Sequence, residues 1–276
     1  MGVAGYDINP ASVAKLVEAG GTGGLNVAEA VKGADVLLVV VVNAAQTDAV
    51  LFGENGAAAA MKQGGVIVSS ATMAPDDVRK LAAKAEALGL LYLDAPISGG
   101  AAKAAIGQLT VMASGTREAF QRARPVLDAT ATTVYELGDA AGVGASFKMV
   151  NQLLAGVHIA AACEAVTFAK KLGLDLATVY KVITASAGNS WMFENRVPQI
   201  LDGDYAPRSA VEIFTKNLGI VSDMGRREKF PFQIAATALQ MFLMTAAAGM
   251  ERDDDASVAR MIAEVTGLEL PVSSRH

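Results

Sequence analysis

Cysteine, histidine and tryptophan are almost missing from this sequence, with one Cys, two His and one Trp among 276 residues. A single thiol, Cys163, excludes an internal disulfide and fits a reducing cytoplasm. It lies in an apolar helical stretch, where a packed thiol is expected rather than a nucleophile. His158 and His276 cannot build a His-rich metal site, and no Cys/His spacing of the zinc kind occurs, so no metal is expected. Positive charge is also short: 23 Lys and Arg stand against 28 Asp and Glu, a net charge of −5. That balance argues against nucleic acid and against an anionic membrane surface as partners. The apolar run Val36–Val42 is far too short to span a bilayer, and no signal peptide is visible.

What is present is alternation. Val3–Tyr6 reads as a short strand ending in Asp7, followed by Asn9-Pro10 and a helix over Ala11–Ala19. Gly20–Gly24 interrupts, and Asn26 can cap a short helix. The β-branched run Val36–Val42 predicts a parallel strand buried on both faces, with a helix after Asn43. Gly65–Ser69 and Leu90–Asp94 are further strands around a helix that Pro75 opens; Thr110–Ala113, Arg117–Leu127 and Thr132–Glu136 continue as strand, helix, strand. This order predicts an α/β fold with a Rossmann-like parallel sheet over residues 1–141. A Gly/Ala-rich joint, Gly138–Gly144, marks the boundary, and residues 142–276 read as an all-helical second domain.

Ligands of parallel α/β sheets collect at the carboxyl ends of the strands. Those ends carry Asp7, Asn43, Thr72 and Ser98-Gly99-Gly100. An acid closing an early strand is the expected partner of the adenosine ribose hydroxyls, so Asp7 points to NAD over NADP; a helix N-cap ahead of Pro10 is the alternative. Thr72 either meets the cofactor or caps the next helix. Adjacent glycines after a strand let backbone N–H groups converge on an anion, and Ser98 adds a hydroxyl; a tight turn is the plainer reading. No G-x-G-x-x-G turn stands ahead of Asp7. The expectation is therefore a sheet lacking its first strand and its phosphate cradle.

The second half is organised around GASFKMVNQ, Gly144–Gln152, the opening of a long helix. Phe147, Val150, Leu154, Val157, Ala161, Ala165, Phe168 and Leu172 recur at steps of three and four and predict its buried face. Lys148, Asn151 and Gln152 share an adjacent face at i, i+3 and i+4. Burying a lysine beside two carboxamides disfavours the charged amine and makes it a proton acceptor. A surface lysine snorkelling beside a polar pair is the alternative. Further helices cover Leu176–Ala185, Val211–Arg227 with Lys216, and a Met-rich stretch ending near Ala248. Asp253-Asp254-Asp255 reads as the cap of a last helix or as a solvated face, Trp191 and Phe193 as core or pocket lining.

With these residues placed, the sequence resembles the β-hydroxyacid dehydrogenase family, which includes 3-hydroxyisobutyrate and 6-phosphogluconate dehydrogenases. DAPISGG (Asp94–Gly100) resembles its substrate motif, GASFKMVNQ its catalytic motif G-x-x-x-K-x-x-N-N, and FTKNLG (Phe214–Gly219) its F-x-K-D-L segment. Stretches NQLLAGVHIAAACEA and SAGNSWMFENRVP are most similar to the branch oxidising the 2-hydroxyl of a four-carbon sugar acid. The resemblance implies NAD as cofactor and a small hydroxy-carboxylate as substrate, L-threonate first, 3-hydroxyisobutyrate or tartronate semialdehyde otherwise. It implies Lys148 as general acid/base, Ser98, Gly99, Gly100, Asn151 and Gln152 around the substrate, and Asp7, Asn43, Thr72 and Lys216 toward NAD. It also implies a cytoplasmic homodimer or homotetramer. Gln152 and Asn217 depart from the family's second asparagine and its aspartate. The missing glycine turn keeps a second class open, a catalytically impaired oligomeric scaffold.

Overall fold

A computed structural model of the chain describes residues 2–273, so His276 lies outside the described residues. Two compact units divide between Lys148 and Met149. The first opens with β1 (Ala4–Gly5), α1 (Pro10–Glu18), β2 (Thr22–Gly23) and α2 (Val27–Ala30). β1 and β2 pair in parallel as a sheet of their own, so the Gly20–Gly24 stretch holds a strand that its composition hides. There follow β3 (Val36–Val39), α3 (Ala44–Phe52), α4 (Ala57–Ala60), β4 (Val66–Ser69), α5 (Pro75–Ala87) and β5 (Leu91–Asp94). β3, β4 and β5 form a parallel sheet in which Val39, Ser69 and Asp94 lie side by side. β6 (Ile97–Ser98), α6 (Gly100–Ala105), β7 (Leu109–Ala113), α7 (Arg117–Thr130) and β8 (Ala131–Glu136) complete the unit.

The α/β, Rossmann-like class holds, but the strands are not all parallel: β6 runs antiparallel to β7. Too few residues separate these two strands for the long crossover that parallel pairing needs. Local chemistry sets the helix starts. Asn9, Asn26 and Asn43 cap α1, α2 and α3 through their side-chain oxygens, and Pro10 and Pro75 occupy first helical turns.

The strand buried on both faces is β4, not the run at Val36–Val42. Val66 and Val68 pack with Leu93, Val111, Phe120 and Leu127; Ile67 faces the other way, toward Leu51, Met73, Leu81 and Tyr92. β3 pairs with β4 alone, and Leu38, Val40 and Val42 are 41%, 63% and 44% exposed. A continuous apolar run is permissive of full burial, but a neighbour on each side enforces it.

The long helix α8 (Val143–Lys171) continues into the second unit, followed by α9 (Leu176–Thr184), α10 (Trp191–Asp202), α11 (Val211–Glu228), α12 (Gln233–Thr245) and α13 (Val258–Thr266). No strand follows β8 among the described residues. The core joins Ile159, Cys163 and Val166 of α8 to Val197 and Ile200 of α10, Phe214 and Leu218 of α11, and Phe242 of α12. Phe214 and Phe242 stack with ring centroids 5.2 Å apart. Cys163 is a packed thiol whose pKa burial pushes up.

One expectation about this half reverses, and one alternative falls. Phe147, Val150, Leu154, Phe168 and Leu172 are exposed in the single chain, and the buried face is Ala155, Ile159, Ala162, Cys163, Val166 and Ala169. Both stripes have helical spacing. The one built of smaller residues lets neighbouring helices approach closely, and so it takes the core. Asp254 and Asp255 are wholly buried rather than solvated. Asp254 caps the short turn ahead of α13, and Asp255 forms a two-pronged pair with Arg196. Phe193 is core, as expected; Trp191 is half exposed. α8 and Gln233–Met250 are long and apolar enough to cross a membrane by length and composition, and 56% of the most apolar window of α8 is already buried inside the protein.

Candidate active site

The carboxyl ends of β3, β4 and β5 release three segments, Val40–Asn43, Ser70–Ala74 and Ala95–Pro96. Thr72 is half-buried there, two residues ahead of Ala74, the N-cap residue of α5. Asn43 Oδ1 accepts from Gln46 N at 2.9 Å, so that oxygen is committed to α3. Asp7, after β1, is exposed. Its Oδ1 accepts from Asn9 N at 2.7 Å, while Asn9 itself caps α1, which removes the N-cap alternative for Asp7.

Ser98 closes β6, and Gly99 and Gly100 have φ of 127° and 66°, a region that strains any residue but glycine. Lys148 belongs to the same unit. It is 7% exposed, and Nζ donates to the carbonyl of Ile97 at 2.7 Å. The amine thus sits against the residue preceding Ser98, and the snorkelling alternative fails. Lys148 is thus brought to the residue beside Ser98.

A polar lock stands at the start of α8. The Asp94 carboxylate is 1% exposed. Its Oδ2 accepts from the amides of Gly142 at 3.0 Å and Ala145 at 2.8 Å. Ser114 Oγ accepts from the amide of Gly144 at 2.9 Å and donates to Asp94 Oδ2 at 3.4 Å. Burial pushes the Asp94 carboxyl up to about 6, against the pull of those amide and hydroxyl donors. Sequence reasoning missed both residues. Asp94 carried a usable signal, an acid closing an apolar strand, whereas Ser114 carried none.

In the second unit, Asn151 Nδ2 donates to Gln152 Oε1 at 3.0 Å, and Gln152 is buried. Lys216 is half-buried on α11, and desolvation lowers its pKa from 10.5 to about 8. Asn217 is 1% exposed, and its Oδ1 has no hydrogen-bond partner among the described residues.

Two family models match the chain: the NAD-binding domain of 6-phosphogluconate dehydrogenase over residues 1–138, and the NAD-binding domain of NADP-dependent 3-hydroxyisobutyrate dehydrogenase over residues 142–262. The L-threonate dehydrogenase of Cupriavidus necator is 51% identical over 96% of this chain and 88% of its own length. The chain belongs to the β-hydroxyacid dehydrogenase family. L-threonate dehydrogenase of Haemophilus influenzae is 48% identical over 97% of this chain and 88% of its own. A crystal structure of 3-hydroxyisobutyrate dehydrogenase from Salmonella typhimurium superposes with a TM-score of 0.90 at 48% identity, covering 93% of this chain and 90% of that one.

Membership makes the first unit an NAD(P)-binding domain followed by a helical one. At its strand ends, polar Asp7 and Thr72 and apolar Val40 and Val42 are exposed or half-buried, groups of the kinds that a nucleoside needs. The pyrophosphate calls for amides free at a helix start, and at α1, α2 and α3 an asparagine of the chain takes one of them.

Proposed function

We propose that this chain oxidises the 2-hydroxyl of a small sugar acid, L-threonate first, to the 2-oxo acid, with Lys148 as general acid/base and NAD as acceptor. The observation that carries the reading is the buried Lys148 amine held 2.7 Å from the carbonyl beside Ser98. The identity of 48–51% to L-threonate dehydrogenases supports the substrate. 3-Hydroxyisobutyrate and tartronate semialdehyde are the alternatives. Residues 1–141 serve the dinucleotide, and residues 142–276 serve substrate and assembly.

Ser98 and the Gly99 and Gly100 amides hold the substrate carboxylate. Asn151 and Gln152 orient the hydroxyl. Lys148, with its amine neutral, takes the hydroxyl proton as the C2–H bond gives up its hydride, leaving a C2 carbonyl and a lysine ammonium. When bound, the nicotinamide supplies the hydride-accepting carbon. Thr72, Asn43 and Lys216 contact NAD, and Asp7 meets its ribose and repels a 2′-phosphate. A homodimer or homotetramer is supported by the exposed stripe Phe147, Val150, Leu154, Phe168 and Leu172. A groove of about 830 Å³ lies open beside that stripe, lined by Phe168, Leu172, Val179 and Phe193.

The test is turnover of L-threonate and 3-hydroxyisobutyrate with NAD and NADP and of tartronate semialdehyde with NADH and NADPH, together with calorimetry of NAD and NADP. Turnover fastest with L-threonate and NAD supports the reading, and Asp7→Ala should then weaken NAD more than NADP. One observation favours a second reading, an oligomeric module without catalysis: an asparagine caps the starts of α1, α2 and α3. Absence of any nucleotide binding would put that reading first.

A further inference from the structure

We propose that Asp94 and Ser114 are positioning residues for Lys148: together they clamp the first turn of α8 to the ends of β5 and β7, and so set where the lysine amine stands. The inference rests on the reading of Lys148 as the base and adds how the fold holds it.

A helix start leaves four N–H groups without intrahelical partners. In α8 three amides of this turn, those of Gly142, Gly144 and Ala145, are met from other strands rather than by the local N-cap side chain usual at a helix start. Asp94 and Ser114 are themselves tied by reciprocal backbone bonds, Asp94 N to Ser114 O at 3.0 Å and Ser114 N to Asp94 O at 2.8 Å. The clamp is therefore anchored in two sheets, β5 belonging to one and β7 to the other.

Close packing adds a second constraint. A Cβ on Gly144 would strike the carbonyl oxygen of Met112 and lie 3.2 Å from Asp94 Oδ2. Glycine lets the helix backbone rest directly on β7. Lys148 follows Gly144 by four residues, hence on the same face one turn later. The other end of the lysine is fixed by the Ile97 carbonyl at 2.7 Å, only three residues after Asp94. One short segment, Asp94–Ile97, thus holds both the base of the helix and the tip of the lysine. A shift of either contact moves Nζ relative to Ser98.

This clamp differs in kind from a packing contact, because it should affect turnover through Lys148 alone. The experiment is a double-mutant cycle on the full chain with L-threonate and NAD, each variant checked for cooperative unfolding. Asp94→Asn should lower kcat about 10- to 100-fold and Ser114→Ala about 3- to 10-fold, with the Kd for NAD held constant. In a Lys148→Ala background neither should lower the residual rate further. The acidic limb of the kcat–pH profile, where protonation of Lys148 removes the base, should also move in Asp94→Asn, since the environment of the amine changes.

Wild-type kcat in Asp94→Asn, or losses that multiply in the double variant, overturns the clamp. If Asp94→Asn does not fold, Ser114→Ala, which removes one hydroxyl, decides by the same two outcomes. Normal turnover in Lys148→Ala alone removes the base reading and the clamp with it, whereas a dead Lys148→Ala beside an unaffected Asp94→Asn removes only the clamp.

Discussion

Asp94 in the first unit and Asp255 in the second are both sealed from water, at 1% and 0% exposure, yet they are answered differently. Asp255 meets a cation: Arg196 Nε and Nη2 reach its two oxygens at 2.5 Å and 3.1 Å, and this pair ties α10 to the turn before α13. Asp94 meets amide and hydroxyl donors of Gly142, Ala145 and Ser114. Burial raises both carboxyls, to about 6 for Asp94 and about 7 for Asp255. An ion pair of this kind holds a fold together when both members are present. A carboxylate facing backbone amides is instead a device for placing a helix. The contrast teaches that equal burial can be answered by a cation that joins elements in one unit and by amides that place a helix in the other.

The largest effect expected is on the chemistry. Lys148→Ala should cut kcat by roughly 10²- to 10⁴-fold, while calorimetry finds the affinity for NAD nearly unchanged. Next comes the loss that should be purely structural. Asp255→Ala leaves the Arg196 guanidinium, 12% exposed, without its buried partner and should cost about 3–5 kcal/mol in denaturant unfolding. Turnover per folded molecule should stay at the wild-type level. Asp94→Asn should show the reverse pattern, with stability at acidic pH, where Asp94 is itself neutral, within about 1 kcal/mol of wild type and turnover reduced. If both variants lost stability alone, the two aspartates would be doing the same job.

How far this contrast could be read beforehand depends on what each feature asks of the sequence. Alternation of strands and helices gave the α/β unit, because periodicity and caps such as Asn9, Asn26 and Asn43 are local. Lys148 and Ser98-Gly99-Gly100 were legible for the same reason, each lying in a short motif of unusual composition. The buried face of α8 was misread, since two stripes share helical spacing and only the neighbouring helices choose between them. Asp255 hid within an acid run, and its partner Arg196 stands 59 residues away. Ser114 is one serine after a strand, and its role exists only because β5 and α8 converge on it. Long-range polar partners leave no periodic trace.

A smaller effect sharpens the comparison through pH. A carboxyl raised from 3.8 to about 6 means that the native state binds more protons than the unfolded chain across that window. Its contribution to stability is fully present below pH 3.8 and is lost as pH rises through about 6, by roughly 3 kcal/mol. Asp94→Asn cannot titrate and should lose this downward slope, so its unfolding free energy relative to wild type should rise between pH 4 and 7. A variant curve parallel to wild type across that range would mean that Asp94 keeps an ordinary acidity.

Lys216 gives the smallest effect and runs the same logic with opposite charge. Desolvation lowers its amine from 10.5 to about 8, so the native state releases its proton before the unfolded chain does. Stability from this group therefore grows as pH rises from about 8 toward 10.5. If Lys216 contacts NAD as a cation, affinity must move the other way, with Kd rising several-fold between pH 7 and 9 as the charge is lost. Lys216→Met should flatten both dependences at once, in calorimetry and in unfolding. A flattened unfolding curve with an unchanged NAD titration would leave Lys216 as a desolvated amine of the helical unit with no part in holding the nucleotide.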